Sequence, residues 1–480
     1  MVFASLEFLS VFFPAFLLLY ALTPARAKNT LLLLASWLFY GWWSPLFLLL
    51  FIGLTALAWA GGLLVERAGP HRKAVMAGLI ALNLGVLAWF KYANIVVETF
   101  SAALVHTGAM PIQWQRIALP IGLSFTVLQA ISYFVDIYRG KFPAERRPID
   151  FATYLAMFGH LVAGPIIRYD WIRQRLAHRS MRWSGFAKGA RRFMIGMAMK
   201  VLVADTLAPV VEQVFASAQP SFVDAWLGCL AYTLQLFFDF AGYSAMAIGI
   251  GAMLGFRFPE NFHAPYLARN VADFWRRWHI SLSSWLRDYL YVPLGGSRRG
   301  NGRTVANLML TMGIGGLWHG ADSWNFLYWG LAHGAALSVV HLWRGRGPRL
   351  PAPLAHAATL LFVMLGWTLF RSPDLATAGA MLGGQFGLQG MALGAALSNM
   401  LRLPVMLAYV LGMAWVVAPA LVTRSRPALV TRSRPAGITR SRPAGSVRAV
   451  AATLLPVAGF LLSLALVASR GTVPFLYFQF

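Results

Sequence analysis

A single cysteine, Cys229, occurs among the 480 residues. It can form no internal disulfide and supplies no metal cluster, which removes structural zinc and thiol redox chemistry from consideration. Charge is scarce too: 12% of residues are charged, against roughly 25% in a soluble domain. Acids are the scarcer sign, 16 against 41 Lys and Arg, a formal balance of +25. Several catalytic signatures are missing. There is no G-x-S-x-G elbow, no G-x-x-x-x-G-K-[ST], no G-x-G-x-x-G after a strand and no H-E-x-x-H, so a serine hydrolase, a P-loop enzyme, a dinucleotide-binding oxidoreductase and a zincin all lose their usual marks. No metal site is expected.

What is there is apolar. Residues of the AVILMFWYC set make up 58% of the chain, and mean hydropathy is +0.61. Apolar runs lie near 6–22, 30–43, 45–65, 74–90, 117–138, 190–214, 222–256, 304–342, 355–370, 402–421 and 450–469, several long enough to split. They approach twenty residues and are rich in Leu, Ala and Gly rather than alternating, which predicts helices and not a β-barrel. The expected fold is an all-α polytopic membrane protein, a single integral membrane domain over 1–480 with about eleven to thirteen membrane segments at about twenty residues each. The basic residues fall in short loops between the runs and mark the cytoplasmic side, which argues against a nucleic-acid partner. Ala25-Arg26-Ala27 has the look of a signal-peptide cleavage site, yet no Lys or Arg precedes the first run and Glu7 stands there instead. Leu6 to Leu22 therefore reads as a retained helix with its N-terminus outside.

Trp42-Trp43-Ser44-Pro45 suits an interfacial turn. Between Arg139 and Arg192 there are twelve Lys or Arg and three acids, interrupted by the apolar stretch Phe151 to Ile167. That stretch is too short to span comfortably, and its Gly164-Pro165 end predicts a re-entrant or interfacial element. The hexapeptide Thr-Arg-Ser-Arg-Pro-Ala recurs from Thr423, Thr431 and Thr439 with an eight-residue period, and seven arginines with no acid lie between Arg424 and Arg448. The segment 423–448 reads as a disordered basic cytoplasmic loop to which no chemistry is assigned.

Ionisable groups inside apolar runs are costly there and so are candidates for function. Asp136 and Arg139 share a helix face and predict a local ion pair, as do Lys200 and Asp205. Asp239 has no near neighbour of opposite charge in sequence, so it needs either a tertiary partner or a place in a cavity. From Asp273 to Asp288 the polar positions 273, 277, 281, 284 and 288 form one stripe, opposite Trp275, Trp278, His279, Leu282 and Leu286. This predicts one amphipathic interfacial helix with His279 on its buried side, either as a core hydrogen-bonding group or as a functional one. His319 ends an apolar run holding Gly313, Gly315, Gly316 and Gly320, beside Trp318 and within reach of Asp322. Those glycines allow close backbone approach or leave room for a ligand, and a buried imidazole there suits general-base work. His333 reads as structural. The Pro293-to-Gly300 turn, with Arg298 and Arg299, is a weak anion site.

Five segments carry a resemblance: Phe256-Arg-Phe-Pro-Glu-Asn-Phe, Tyr266-Leu-Ala-Arg, Phe274-Trp-Arg-Arg-Trp-His-Ile-Ser-Leu, Arg287-Asp-Tyr-Leu-Tyr-Val-Pro-Leu-Gly-Gly and Leu317-Trp-His-Gly-Ala. With Ser132 to Gly140, Ala163 to Arg168 and Pro474 to Phe480, they make the chain resemble the membrane-bound O-acyltransferase family. It is most similar to the bacterial branch typified by the alginate O-acetylation membrane component. The pattern departs at Ala241 and Ala245, where that branch commonly shows Ser and Asp.

The resemblance implies helices around a central tunnel in which a cytoplasmic acyl thioester, acetyl-CoA foremost, meets a hydroxyl of an extracellular or periplasmic polysaccharide. It implies His319 as the catalytic histidine and His279 as the second one, no bound cofactor, a bacterial inner-membrane location and a periplasmic acetyltransferase partner. Trp275, Trp278 and Trp318 are expected to wall the tunnel against water, with Asp239 and Asp322 as further substrate contacts. The rival readings are a transporter or flippase for lipid-linked sugars, with Asp136, Asp239 and the histidines as its relay, and a non-catalytic scaffold of an export complex.

Overall fold

The computed structural model describes residues 1–161, 164–320, 323–344, 347–348, 350–422, 446–471 and 473–476. Among these residues the only regular elements are helices. The chain opens with α1 (Phe13–Leu22), α2 (Lys28–Gly41), α3 (Pro45–Arg67), α4 (Arg72–His106) and α5 (Leu123–Tyr138). The Trp-Trp-Ser-Pro turn falls where expected: Ser44 caps α3 by accepting from the Phe47 amide at 3.4 Å, and Pro45 sits where a helix needs no amide donor. The N-terminal segment is part of the core, since Phe3 and Phe8 are fully buried and Phe3 stacks on Tyr243 at 4.6 Å.

The short apolar stretch after the first basic cluster forms α6 (Pro148–Ala156) and α7 (Phe158–Leu161), both buried within the protein, and is followed by α8 (Tyr169–Ala177). Its non-helical backbone is satisfied by side chains from elsewhere. Ser281 Oγ accepts from the Ile166 amide at 3.0 Å, while Tyr154 Oη and Gln129 Nε2 donate to the Ile167 carbonyl at 2.8 and 3.2 Å. Irregular backbone inside a membrane protein persists only with such partners.

Next come α9 (Trp183–Ala198), a π-turn over Met199–Ala204, α10 (Asp205–Phe215) and α11 (Phe222–Met253). All but the last three residues of the run 222–256 form a single helix of 32 residues, and 94% of its most apolar window is buried. A helix that is apolar all round belongs at the centre, and the others pack around it. Contact with α9 is backbone to backbone: a Cβ on Gly196 would stand 2.5 Å from the Gly242 carbonyl oxygen, and one on Gly249 would stand 2.7 Å from that of Gly189.

The remaining elements are α12 (Val271–Arg277), α13 (Ile280–Leu286), α14 (Gly300–His319), α15 (Asn325–Trp343), α16 (Ala352–Arg371), α17 (Leu375–Gln385), α18 (Ala395–Met400), α19 (Leu403–Val422) and α20 (Ser446–Arg470). The single amphipathic helix expected over Asp273 to Asp288 is corrected to two. The break falls at Trp278 and His279, where His279 takes a left-handed φ of +43°. The neighbouring segment 261–263 bonds both sides of it, His263 N to Arg277 O and Ile280 N to Asn261 O, each at 2.9 Å. Those tertiary bonds outweigh the helical stripe.

Six helical segments among the described residues are long and apolar enough to cross a membrane, and three shorter apolar helices accompany them. That criterion falls short of eleven to thirteen, in part because α14 and α15 carry the glycines, asparagines and histidines that build the interior. The fold is nonetheless the all-α, multi-pass membrane architecture expected. The repeat segment 423–445 lies outside the described residues.

Candidate active site

α14 and α15 are drawn together by glycine. A Cβ on Gly316 would stand 3.0 Å from the Gly330 Cα, so the glycines preceding His319 serve close helix approach. α14 ends at His319, and its last carbonyls are taken by two residues of α4. Lys91 Nζ donates to the Trp318 carbonyl and to that of His319 at 3.3 Å, and Tyr92 Oη donates to that of Leu317 at 2.6 Å. A cation suits a helix C-terminus, where unpaired carbonyls concentrate negative potential. Lys91 is itself buried.

Across from it, the left-handed turn at His279 points the imidazole inward. Asn261 Nδ2 donates to Ser244 Oγ at 3.1 Å, so its Oδ1 is the acceptor, and it receives Ser281 Oγ at 2.9 Å and His279 Nδ1 at 3.1 Å. This places the His279 proton on Nδ1 and leaves Nε2 as a buried acceptor with no partner among the described residues. The edge-on Phe240 ring, 4.7 Å away, completes the apolar enclosure, and burial lowers the pKa of this imidazole to about 3. Trp318 stands beside both histidines, its ring 6.4 Å from that of His279 and 5.0 Å from that of His319.

Around His319 the wall is aromatic, with Trp329 and Phe370 each at 5.4 Å. Trp329 in turn meets His333 at 4.8 Å and Trp367 at 5.8 Å. Trp275 donates through Nε1 to His333 Nδ1 at 3.2 Å, and Trp278 packs on Trp367 at 5.0 Å. Buried polar atoms normally find partners. Here Trp329 Nε1 and His333 Nε2 have none among the described residues. A Cβ added to Gly366 would sit 3.4 Å from that His333 atom and 3.5 Å from the Trp329 nitrogen. The result is an aromatic enclosure, sparsely studded with polar atoms, that holds three imidazoles, His279, His319 and His333, away from bulk water.

The family model described as membrane-bound O-acyltransferase matches residues 144–351, which contain all three imidazoles. "Probable alginate O-acetylase AlgI" of Azotobacter vinelandii is 47% identical over 390 residues, covering 80% of this chain and 78% of the relative. The chain belongs to the membrane-bound O-acyltransferase family. A peptidoglycan O-acetyltransferase of Helicobacter pylori is 36% identical over 426 residues, 80% of each chain. A teichoic acid D-alanyltransferase of Bacillus subtilis is 26% identical over 274 residues, 52% of this chain and 68% of the relative.

In this O-acyltransferase the structure gathers His279, His319, Trp275, Trp278 and Trp318 into one region. Asp239 finds the tertiary partner its sequence context requires: Lys200 Nζ lies 2.8 Å from it and 2.6 Å from Asp205. Asp239 also accepts from the Leu476 amide at 2.8 Å. Asp136 pairs with Lys141 at 2.8 Å, closer than with Arg139 at 4.0 Å, and accepts from Tyr289 Oη at 2.7 Å. Asp322 lies outside the described residues. Ala241 and Ala245 line a cavity that Asn261 also lines.

Lys91, Asn261, Trp329 and Trp367 escape the sequence reading. Lys91 directly follows an apolar run taken to end at residue 90, whereas the helix continues to His106; a lysine within Trp-Phe-Lys-Tyr inside a longer helix is the signal that could have found it. Lys91 holds the carbonyls at the end of the helix that carries His319, and with His319 as the base it would act by positioning it. Lys91→Met is expected to lower kcat about ten- to a hundred-fold through misplacement of His319, with KM for the donor little changed and partial recovery in Lys91→Arg. Unaltered kcat in a folded Lys91→Met variant refutes this role.

Proposed function

We propose that this acyltransferase moves an acetyl group from a thioester donor, acetyl-CoA in the first instance, across the membrane towards hydroxyls of an envelope polysaccharide, with His319 as general base. The observation that carries the reading is the enclosure of His319 and His279 on either side of Trp318 by aromatic rings. Its neutral imidazole removes the proton from the accepting hydroxyl. The oxygen attacks the thioester carbonyl, the C–S bond breaks, and the departing thiolate takes up a proton. Trp275, Trp278 and Trp318 exclude water that would otherwise hydrolyse the thioester. His279, fixed through Nδ1 by Asn261, presents Nε2 to the same space.

Acetyl transfer and a glycan acceptor are supported by relatives named for alginate and peptidoglycan acetylation. In this reading the reaction runs at the bacterial inner membrane with the donor on the cytoplasmic side, and a periplasmic acetyltransferase completes delivery. The relay of the transporter reading finds no support, because Asp136 and Asp239 are each neutralised by a lysine. The test compares alkali-labile acetyl esters on envelope glycans from cells with the gene, without it, and with it restored. Esters are expected to vanish with the gene and return with it; equal ester content in all three strains would falsify the assignment.

A further inference from the structure

The cavity that Asn261 helps to line has a volume of about 520 Å³ and lies between α9, α11, α19 and the segment 260–266. α19 is tethered in its middle, where Tyr409 Oη donates to the Leu227 carbonyl at 2.9 Å and a Cβ on Gly412 would stand 3.2 Å from Leu234 and 3.3 Å from Val203. The space opens past that tether, with Trp415 and Pro419 on one side and the small side chains Ala241 and Ala245 on the other. An apolar gap between membrane helices forfeits dispersion contacts unless something fills it. At its rim stand Lys188, Arg191 and Arg192. Arg192 is paired with Glu260 at 2.5 Å, whereas Lys188 and Arg191 are exposed and have no ion-pair partner among the described residues. Lys188, Arg191 and Arg192 close the basic stretch that begins at Arg139, and the positive-inside rule puts such a stretch at the cytoplasmic leaflet.

We propose that this cavity binds an anionic phospholipid, its acyl chain in the gap between α19 and α11 and its phosphate against Lys188 and Arg191. Basic pockets between membrane helices on the cytoplasmic side have the chemistry to hold such headgroups. The cavity shares Asn261 with the hydrogen-bond network of His279 but is lined by neither His279 nor His319, and a lipid there goes beyond the acyl-transfer reading. Its test reads lipid rather than turnover.

The full-length protein is placed in phosphatidylcholine nanodiscs containing a minority of phosphatidylglycerol, then extracted into mild detergent, and the retained lipid is identified by mass spectrometry. Phosphatidylglycerol is expected to be enriched over its bulk share. Each cation removed should cost about five-fold in retention, so Lys188→Glu with Arg191→Glu should lose roughly twenty-five-fold or more. Ala241→Trp, which fills the gap, should expel the lipid without touching the charges; the two exposed charge reversals keep the test open should that variant misfold. Retention of the lipids in bulk proportion by the wild type overturns the proposal. So does equal retention by the charge-reversed variant, and if that variant instead shows a raised KM for the thioester donor, the cations belong to the donor's site.

Discussion

Replacing His319 with alanine or glutamine is expected to lower acyl transfer by about a hundred- to ten-thousand-fold, the usual cost of losing a positioned base, while the protein still inserts and folds. The side chain ends α14, and although its ring packs on Trp329 of α15, the backbone approach of the two helices is made by glycines earlier in α14. That approach survives the change. His279→Ala should behave differently. It strips Asn261 Oδ1 of a donor and removes a side chain from a fully buried site, so a loss of about 1–3 kcal/mol of stability should accompany the loss of rate. His333→Ala is a poor control because Trp275 Nε1 would lose its acceptor. Cys229→Ala is a better one: its thiol donates to the Met364 carbonyl at 3.3 Å and lies outside the aromatic enclosure. The measurement is acyl transfer by purified variants alongside their melting temperatures in detergent. Near-wild-type turnover by folded His319→Gln would remove His319 from the mechanism.

The largest effect on stability is expected at Lys200. Its ammonium bridges two buried carboxylates, Asp205 at 2.6 Å and Asp239 at 2.8 Å, where the chain departs from α-helical spacing over Met199–Ala204. Lys200→Met leaves two like charges facing each other out of water, and breaking a buried pair in this way typically costs about 3–5 kcal/mol. A sharp drop in detergent melting temperature and in yield should follow. Neutralising the acids as well, with Asp205→Asn and Asp239→Asn in the same chain, should recover much of it, since the penalty comes from the uncompensated charge rather than from lost packing. Asparagine at 239 can still accept from the Leu476 amide. If Lys200→Met melts with the wild type, the triad contributes nothing to the fold.

The all-helical membrane architecture was legible in the chain itself, because an apolar run near twenty residues with few charges has few other solutions in a bilayer. So were the turn at Trp42 to Pro45, the short buried elements after Arg147, the Lys200–Asp205 pair and the gathering of His279, His319 and the three tryptophans, since each rests on neighbours close in sequence or on a motif quoted from it. Tertiary structure decided what depends on residues far apart. The stripe from Asp273 to Asp288 obeys helical spacing, yet the segment 261–263 supplies hydrogen bonds that break it at His279. Asp239 reads as unpaired in sequence, and Lys200 reaches it from 39 positions away. Lys91 sits 228 residues before His319 and still caps the helix that carries it. Local pattern fixes which segments leave water. Which buried polar group meets which is settled only when the helices pack, because in the interior each such group must find its partner wherever the fold brings one.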